Sequence, residues 1–306
     1  MTHLRRTSAL LFGALLALSL TSLPDTAQAE DPTVTLQDAG KGKKAPLRMS
    51  PKIGVKESMT MSIEMGLEMT MGELQIPAQD PPVMTMVMDT EVNEILKDGT
   101  FTYTFKFTKA ESGASDSLPP AALEEMNKTL GQMVGMEGHG TVTPRGFSRD
   151  GAFVLPEGVA PELQETLDNM SHSMDQMVAP LPEEPVGIGA KWTVVSKPEA
   201  NGMKIDQTAH YTLLSREDDA IELSVRLEQT AAKQTVDLGA QGSFELVRYT
   251  GAGTGSTKLN LGRVSPIEAL VEVTSDVGMN MDMGGQAVEM GAVTEVKNTM
   301  TGTLRE

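Results

Sequence analysis

With 306 residues, no cysteine and a formal net charge of −17, this chain cannot be a disulfide-stapled fold, and it repels nucleic acid and anionic head groups. No nucleic-acid partner is expected. Its apolar volume is unusual in kind, since 22 Met stand against one Trp and three Tyr, so packing must lean on Met, Leu and Val.

Residues 1–29 read as a signal peptide. Arg5 and Arg6 make the basic start, Ser8 to Leu20 is an apolar run, and Ala27-Gln28-Ala29 is a small-residue cleavage site. The run is too short to span a bilayer as a helix. The product is expected to be exported to the periplasm or beyond, soluble, without a membrane span, and more acidic by one unit once Arg5, Arg6 and Asp25 are removed. Residues 30–45, small and polar with Lys41, Lys43 and Lys44, read as a flexible leader to a single domain over 46–306.

The first strand system, about Leu47 to Met71, carries the main signal. Met59, Met61, Ile63, Met65, Leu67, Met69 and Met71 alternate with Thr60, Ser62, Glu64, Gly66, Glu68 and Thr70. That period of two predicts a strand with one apolar and one wet face. Gly72 to Pro82 reads as a loop. Val83 to Leu96, with Met84, Met86 and Met88, predicts a strand that turns at Lys97-Asp98-Gly99. Phe101, Tyr103, Phe105 and Phe107 then share one face of the next strand.

A helix is predicted over 119–134 from the spacing of Leu123, Met126, Leu130 and Met133, after two prolines suited to a first turn. Two short strands follow near 140–144 and 151–155. A second helix is predicted over 161–178 from Leu163, Leu167, Met170, Met174 and Met177. The remainder reads as strand: 191–197 turning at Asn201-Gly202 into 203–215, then 220–230, 243–250, 256–264, 268–283 and 286–304. Gly251-Ala252-Gly253-Thr254-Gly255 lacks the ending and the following helix of a phosphate loop, so it reads as a flexible hairpin connection.

A 13-residue strand spans on the order of 43 Å, too long for a flat sandwich, so the sheet must twist and curl. The predicted class is α+β, mainly antiparallel: a long half-barrel-like sheet with two helices on its concave face. The order of elements over roughly 46–306, with the run Pro185-Val186-Gly187-Ile188-Gly189-Ala190-Lys191-Trp192, resembles secreted bacterial proteins of a domain-of-unknown-function class. These are similar to the periplasmic lipoprotein-carrier superfamily. That resemblance implies a curved half-barrel enclosing helices and binding acyl chains. The defined cationic or aromatic cavity residues of the carriers map onto no position here.

The expected function is non-catalytic binding of a lipid or acyl-type ligand, because methionine surfaces repack around varied shapes. The candidate cavity residues are Met59, Met61, Met65, Met69, Met71, Met84, Met86, Met88, Phe105, Met170, Met174, Met279, Met281 and Met283. The same pattern also fits a closed Met-rich core in a structural protein of the envelope. Met-x-Met pairs offer soft donors to Cu(I), although only His172 among the histidines lies near methionines. No spacing marks a nucleophile with its base, so no catalytic residue, resident metal or cofactor is assigned. An oligomeric state is not readable.

Overall fold

The computed structural model describes residues 31–79, 81–115, 118–154, 179–200, 202–237, 242–282 and 287–306. In chain order the elements are β1 (Thr33–Asp38), β2 (Lys41–Ala45), β3 (Lys56–Met71), β4 (Leu74–Gln79), β5 (Met84–Ile95), β6 (Phe101–Ser112), α1 (Pro120–Gly131), β7 (Glu137–Val142) and β8 (Ser148–Val154). After residue 178 come β9 (Val186–Ile188), β10 (Lys191–Ser196), β11 (Glu199–Ala200), β12 (Met203–Lys204), β13 (Asp206–Glu217), β14 (Ala220–Thr230), β15 (Gln234–Asp237), β16 (Ser243–Asn260), β17 (Glu268–Asp282) and β18 (Ala287–Leu304).

The expected α+β class with two helices is therefore corrected. The protein is mostly antiparallel β, with one short helix among the described residues. The predicted second helix, and Met170 and Met174 with it, lies outside those residues. Nor does α1 fill a concave face. No residue of it is buried, and it packs beside β6, where the Asn127 carboxamide oxygen accepts from the Ser112 backbone N–H at 2.8 Å. Its Leu123, Met126 and Leu130 stripe stays half-buried. Three-to-four spacing identified a helix, but spacing does not say how deeply the apolar stripe is covered.

One sheet of fourteen strands dominates, in the order β1-β10-β13-β14-β16-β17-β18-β3-β5-β6-β7-β8, with β15 beside β16 and β4 beside β3. Three smaller expectations change. The leader carries β1 and β2, the loop over 72–82 contains β4, and Gly251 to Gly255 lies inside the 18-residue β16. The glycines of β16 belong to a strand because they sit where it has no room for side chains. A Cβ on Gly253 would lie 2.6 Å from the Glu272 carbonyl oxygen, and one on Gly255 2.6 Å from that of Leu270. Glycine on the inner face of a strand allows sharp curvature.

The sheet closes back on itself. Laid flat, its first and last strands would stand roughly 50 Å apart at about 4.8 Å per step. Instead Arg149 on β8 reaches Asp31, just before β1, to form an ion pair. Met49 packs against apolar clusters from both halves, and its backbone N–H donates to the Pro144 carbonyl at 2.7 Å. One end of the curl is plugged by Leu47, Leu181 and Leu261, all but fully buried. Glu57 is sealed there too. Its carboxylate accepts from the backbone N–H of Val264 (2.9 Å) and of Ser265 (3.0 Å), and Arg263 lies at 3.4 Å.

Candidate functional site

Cross-strand partners share a face, so the register assigns every inward side chain. Next to the inner pairs Ile221–Leu259 and Met59–Met88 at the plugged end, one inner row runs Leu223, Thr257, Ala269, Met300, Met61, Met86. Two mainly apolar rows follow, one of them containing Trp192, Tyr211, Val225 and Val271 and interrupted by Asn298. Further out stand Tyr249, Val277, Ala292 and Met69, then Leu246, Met279, Met290 and Met71. Methionines from three adjacent strands thus line up in one row, which the sequence does not reveal because register is a tertiary property.

Burial does not fall steadily along this face, since Leu246, Tyr249 and Val277 toward the outer end are buried in a core cluster against which Met279 and Met281 pack. Met59, Met88 and Phe105 are at most 8% exposed and belong to the closed-end core. Met61, Met65, Met69, Met71, Met84 and Met86 are only part-buried, as are Met279 and Met281 at the outer end of β17. Met283 lies outside the described residues. The candidate residues therefore divide into a core group and a part-buried group, which runs from Met61 and Met86 near the plugged end to Met71 and Met279 at the outer end.

The opposite face of the same strands is polar. It carries the pairs Lys297–Glu64 (3.5 Å), Lys258–Glu268 (2.9 Å) and Arg248–Asp276 (2.8 Å). A lipid-embedded barrel turns its apolar residues outward. This sheet turns them inward. His139 and His210 belong to the polar side as well; His210 faces Thr193 Oγ1 at 3.3 Å and Glu228 at 4.0 Å. Neither adjoins the methionine rows, and His172 is outside the described residues.

Two features escape sequence reasoning. The first is a cleft of about 510 Å³ at the seam, lined by Arg48, Arg145, Arg149, Phe147 and Asp31 among others. Three guanidinium groups in an acidic protein suggest an anion site, but their donors are engaged. Arg48 donates to the carbonyls of Leu47, Pro182 and Glu183, and Arg145 donates to Leu181 and stacks over Phe147 at 5.1 Å. Desolvation, with the Arg145 charge beside it, lowers the Arg48 pKa from its ordinary value. The cleft is a clasp that ties the segment after residue 180 to both edges of the sheet.

The second is polar and lies inside. Ser196, Gln207, Gln229, Gly251, Ser275 and Thr294 form one cross-strand row on a mainly apolar face. Its hydrogen bonds run from Gln229 Nε2 to Gln207 Oε1 (2.7 Å) and from the Tyr249 hydroxyl to Gln229 Oε1 (3.0 Å). Gly251 makes room, since a Cβ there would stand 2.6 Å from Gln229 Oε1. The signal was present as gaps: Gln229, Ser275, Thr294 and Asn298 interrupt the apolar parity of their strands. Tyr211, stacked on Trp192 at 5.5 Å, is part-buried, yet desolvation pushes its hydroxyl up to about 12.

The arrangement is that of a curled antiparallel β protein with an apolar inside and a charged outside. Residues 164–263, including the Pro185–Trp192 run, match a family model described as a family of unknown function (DUF6263). No curated protein matches. Among solved structures, the chain is similar at 8% identity to Salmonella typhi OmpF in complex with daunomycin, covering 79% of this chain and 97% of that one with a TM-score of 0.22. Ail, the attachment invasion locus protein of Yersinia pestis, is also 8% identical, with 81% and 99% covered and a TM-score of 0.15. Scores that low do not establish a common fold.

Proposed function

We propose that this is an exported, non-catalytic protein that binds a lipid or acyl-type ligand against the Met-lined outer half of its curled sheet. The observation that carries the reading is the row Met71–Met290–Met279, continuous across three strands and only part-buried, while the same face is sealed at the other end. Flexible thioethers give a surface that adapts to an alkyl chain without a fixed shape. The resemblance to the periplasmic lipoprotein carriers supports the same class of ligand. The signal-like segment over residues 1–29 supports export.

Native mass spectrometry of the purified protein, with solvent extraction of anything bound, tests this. The expected result is a co-purifying lipid, or uptake of added dodecyl-chain amphiphile at one-to-one stoichiometry. Recovery of the bare protein only, with no uptake, assigns the methionines to a closed core and the protein to a structural role in the envelope.

A further inference from the structure

The inner polar row deepens that reading, on which it rests. A buried polar group without a partner costs roughly 1–3 kcal/mol, so a face meant only for packing carries apolar side chains throughout. Here six adjacent strands each place a polar residue or glycine at one level: Ser196, Gln207, Gln229, Gly251, Ser275 and Thr294. Apolar rows lie on either side, with Val194, Ala209, Leu227 and Val273 toward the plug and Val277, Ala292 and Met69 toward the outer end.

The bonds within the row leave capacity over. A carboxamide has two N–H donors and two lone pairs on its oxygen. Gln229 uses one N–H on Gln207 and receives one bond from Tyr249; Gln207 receives that bond and reaches Ser196 Oγ at 3.4 Å. The Tyr249 hydroxyl also lies 3.5 Å from Ser275 Oγ. Among the described residues each carboxamide can therefore still donate one hydrogen bond and accept another. Closer to the plug on the same face, Asn298 Oδ1 is buried without a donor, and its Nδ2 has only the Met61 sulfur at 3.9 Å.

Charge decides the class of ligand. Among the described inward residues of β10, β13, β14, β16, β17, β18 and β3, only Glu57 and Arg216 carry a charge, and both stand toward the plugged end and are engaged: Glu57 by Arg263 and two backbone N–H groups, Arg216 by the carbonyls of Ala45 and Pro46. A carboxylate or phosphate brought to the polar row would lie in an apolar enclosure with no counter-charge. We propose that the row Gln207–Gln229–Tyr249–Ser275 is the head-group site of this cavity, and that it takes an uncharged amphiphile whose hydroxyl or amide exchanges hydrogen bonds with the two carboxamides. The alkyl portion lies along the methionine rows.

The test compares dodecan-1-ol with dodecanoate at pH 8, equal in chain length and different in charge. Binding is followed by native mass spectrometry and by emission of Trp192, the sole tryptophan, which stands on the same inner face. The alcohol is expected to bind at least about tenfold more tightly than the carboxylate, and the double variant Gln207→Met/Gln229→Met to lose that preference, with circular dichroism verifying its fold. Equal or tighter binding of dodecanoate to the wild-type protein overturns the head-group site but leaves the apolar cavity standing. An alcohol preference that survives in a folded double variant likewise overturns it. Failure of both probes to bind the wild-type protein overturns the cavity itself, and the site with it.

Discussion

Glu57 is the residue on which the plugged end turns. It is fully buried and neutralised by Arg263, whose side chain is 11% exposed, so neither charge has water to return to. Its two backbone donors belong to the loop between β16 and β17, which places one carboxylate in charge of the loop's position. Glu57→Ala leaves Arg263 and two N–H groups without their acceptor and should cost about 3–5 kcal/mol, read as a lowered urea midpoint. Glu57→Gln keeps one acceptor and should cost less. Tyr211 makes a second residue-scale prediction. Its hydroxyl is raised to about 12 in the folded protein against an ordinary value near 10, so the folded state holds its proton more tightly. That stability is complete below about pH 10 and is lost as pH rises through about 12. Tyr211→Phe should flatten the fall of stability over that window, measured by urea denaturation at stepped pH.

At the scale of elements, glycine positions decide where backbones cross. Gly187 on β9 sits against β2, and a Cβ added to it would lie 2.1 Å from the Lys41 carbonyl oxygen. The contact is with backbone, which cannot swing aside. Gly187→Ala should therefore destabilise by about 2–4 kcal/mol in thermal or urea unfolding, whereas Gly54→Ala, with open space but a φ of +80°, should show only the milder strain of the left-handed region. The Pro185–Trp192 run thus has a structural task. Gly187 permits the crossing, Val186 and Ala190 are fully buried, and the Trp192 indole N–H donates to the Pro180 carbonyl at 3.0 Å. Elements with clean alternation were legible in the sequence, above all β3, the β5–β6 hairpin and β14. What was not legible depended on neighbours. Gly251 to Gly255 has the composition of a loop, yet it forms strand because β14 and β17 supply hydrogen bonds on both sides. The polar row was visible only as missing members of each parity series, and nothing in one strand says that the gaps of five others fall at the same level.

The whole molecule is a sheet that meets itself without completing its ladder. β17 and β18 pair over 15 positions, as do β18 and β3, while β1 pairs only with β10 and β8 only with β7 among the described strands. The contacts across the seam belong to side chains and loops: the exposed Arg149–Asp31 pair, Arg48, and the packing of Met49. Exposed ion pairs of this kind contribute about 0–1 kcal/mol, so they cannot hold the edges as a backbone ladder would. Stability should then be graded across the sheet, highest at β16-β17-β18-β3 and falling toward both edges. Hydrogen exchange followed by mass spectrometry gives the measurement. Peptides from 246–260, 268–281 and 288–304 should exchange only with global unfolding, and those covering 33–38 and 148–154 orders of magnitude sooner. Salt should leave the first group unchanged and speed the second, because screening weakens the ion pair and not the ladders. If both edges exchange as slowly as the centre, the seam is closed by backbone pairing and the curl is a complete barrel. If the graded pattern holds, the seam is the part of the wall that opens at lowest free-energy cost, and a ligand bound against the methionine rows would slow exchange there more than anywhere else in the sheet.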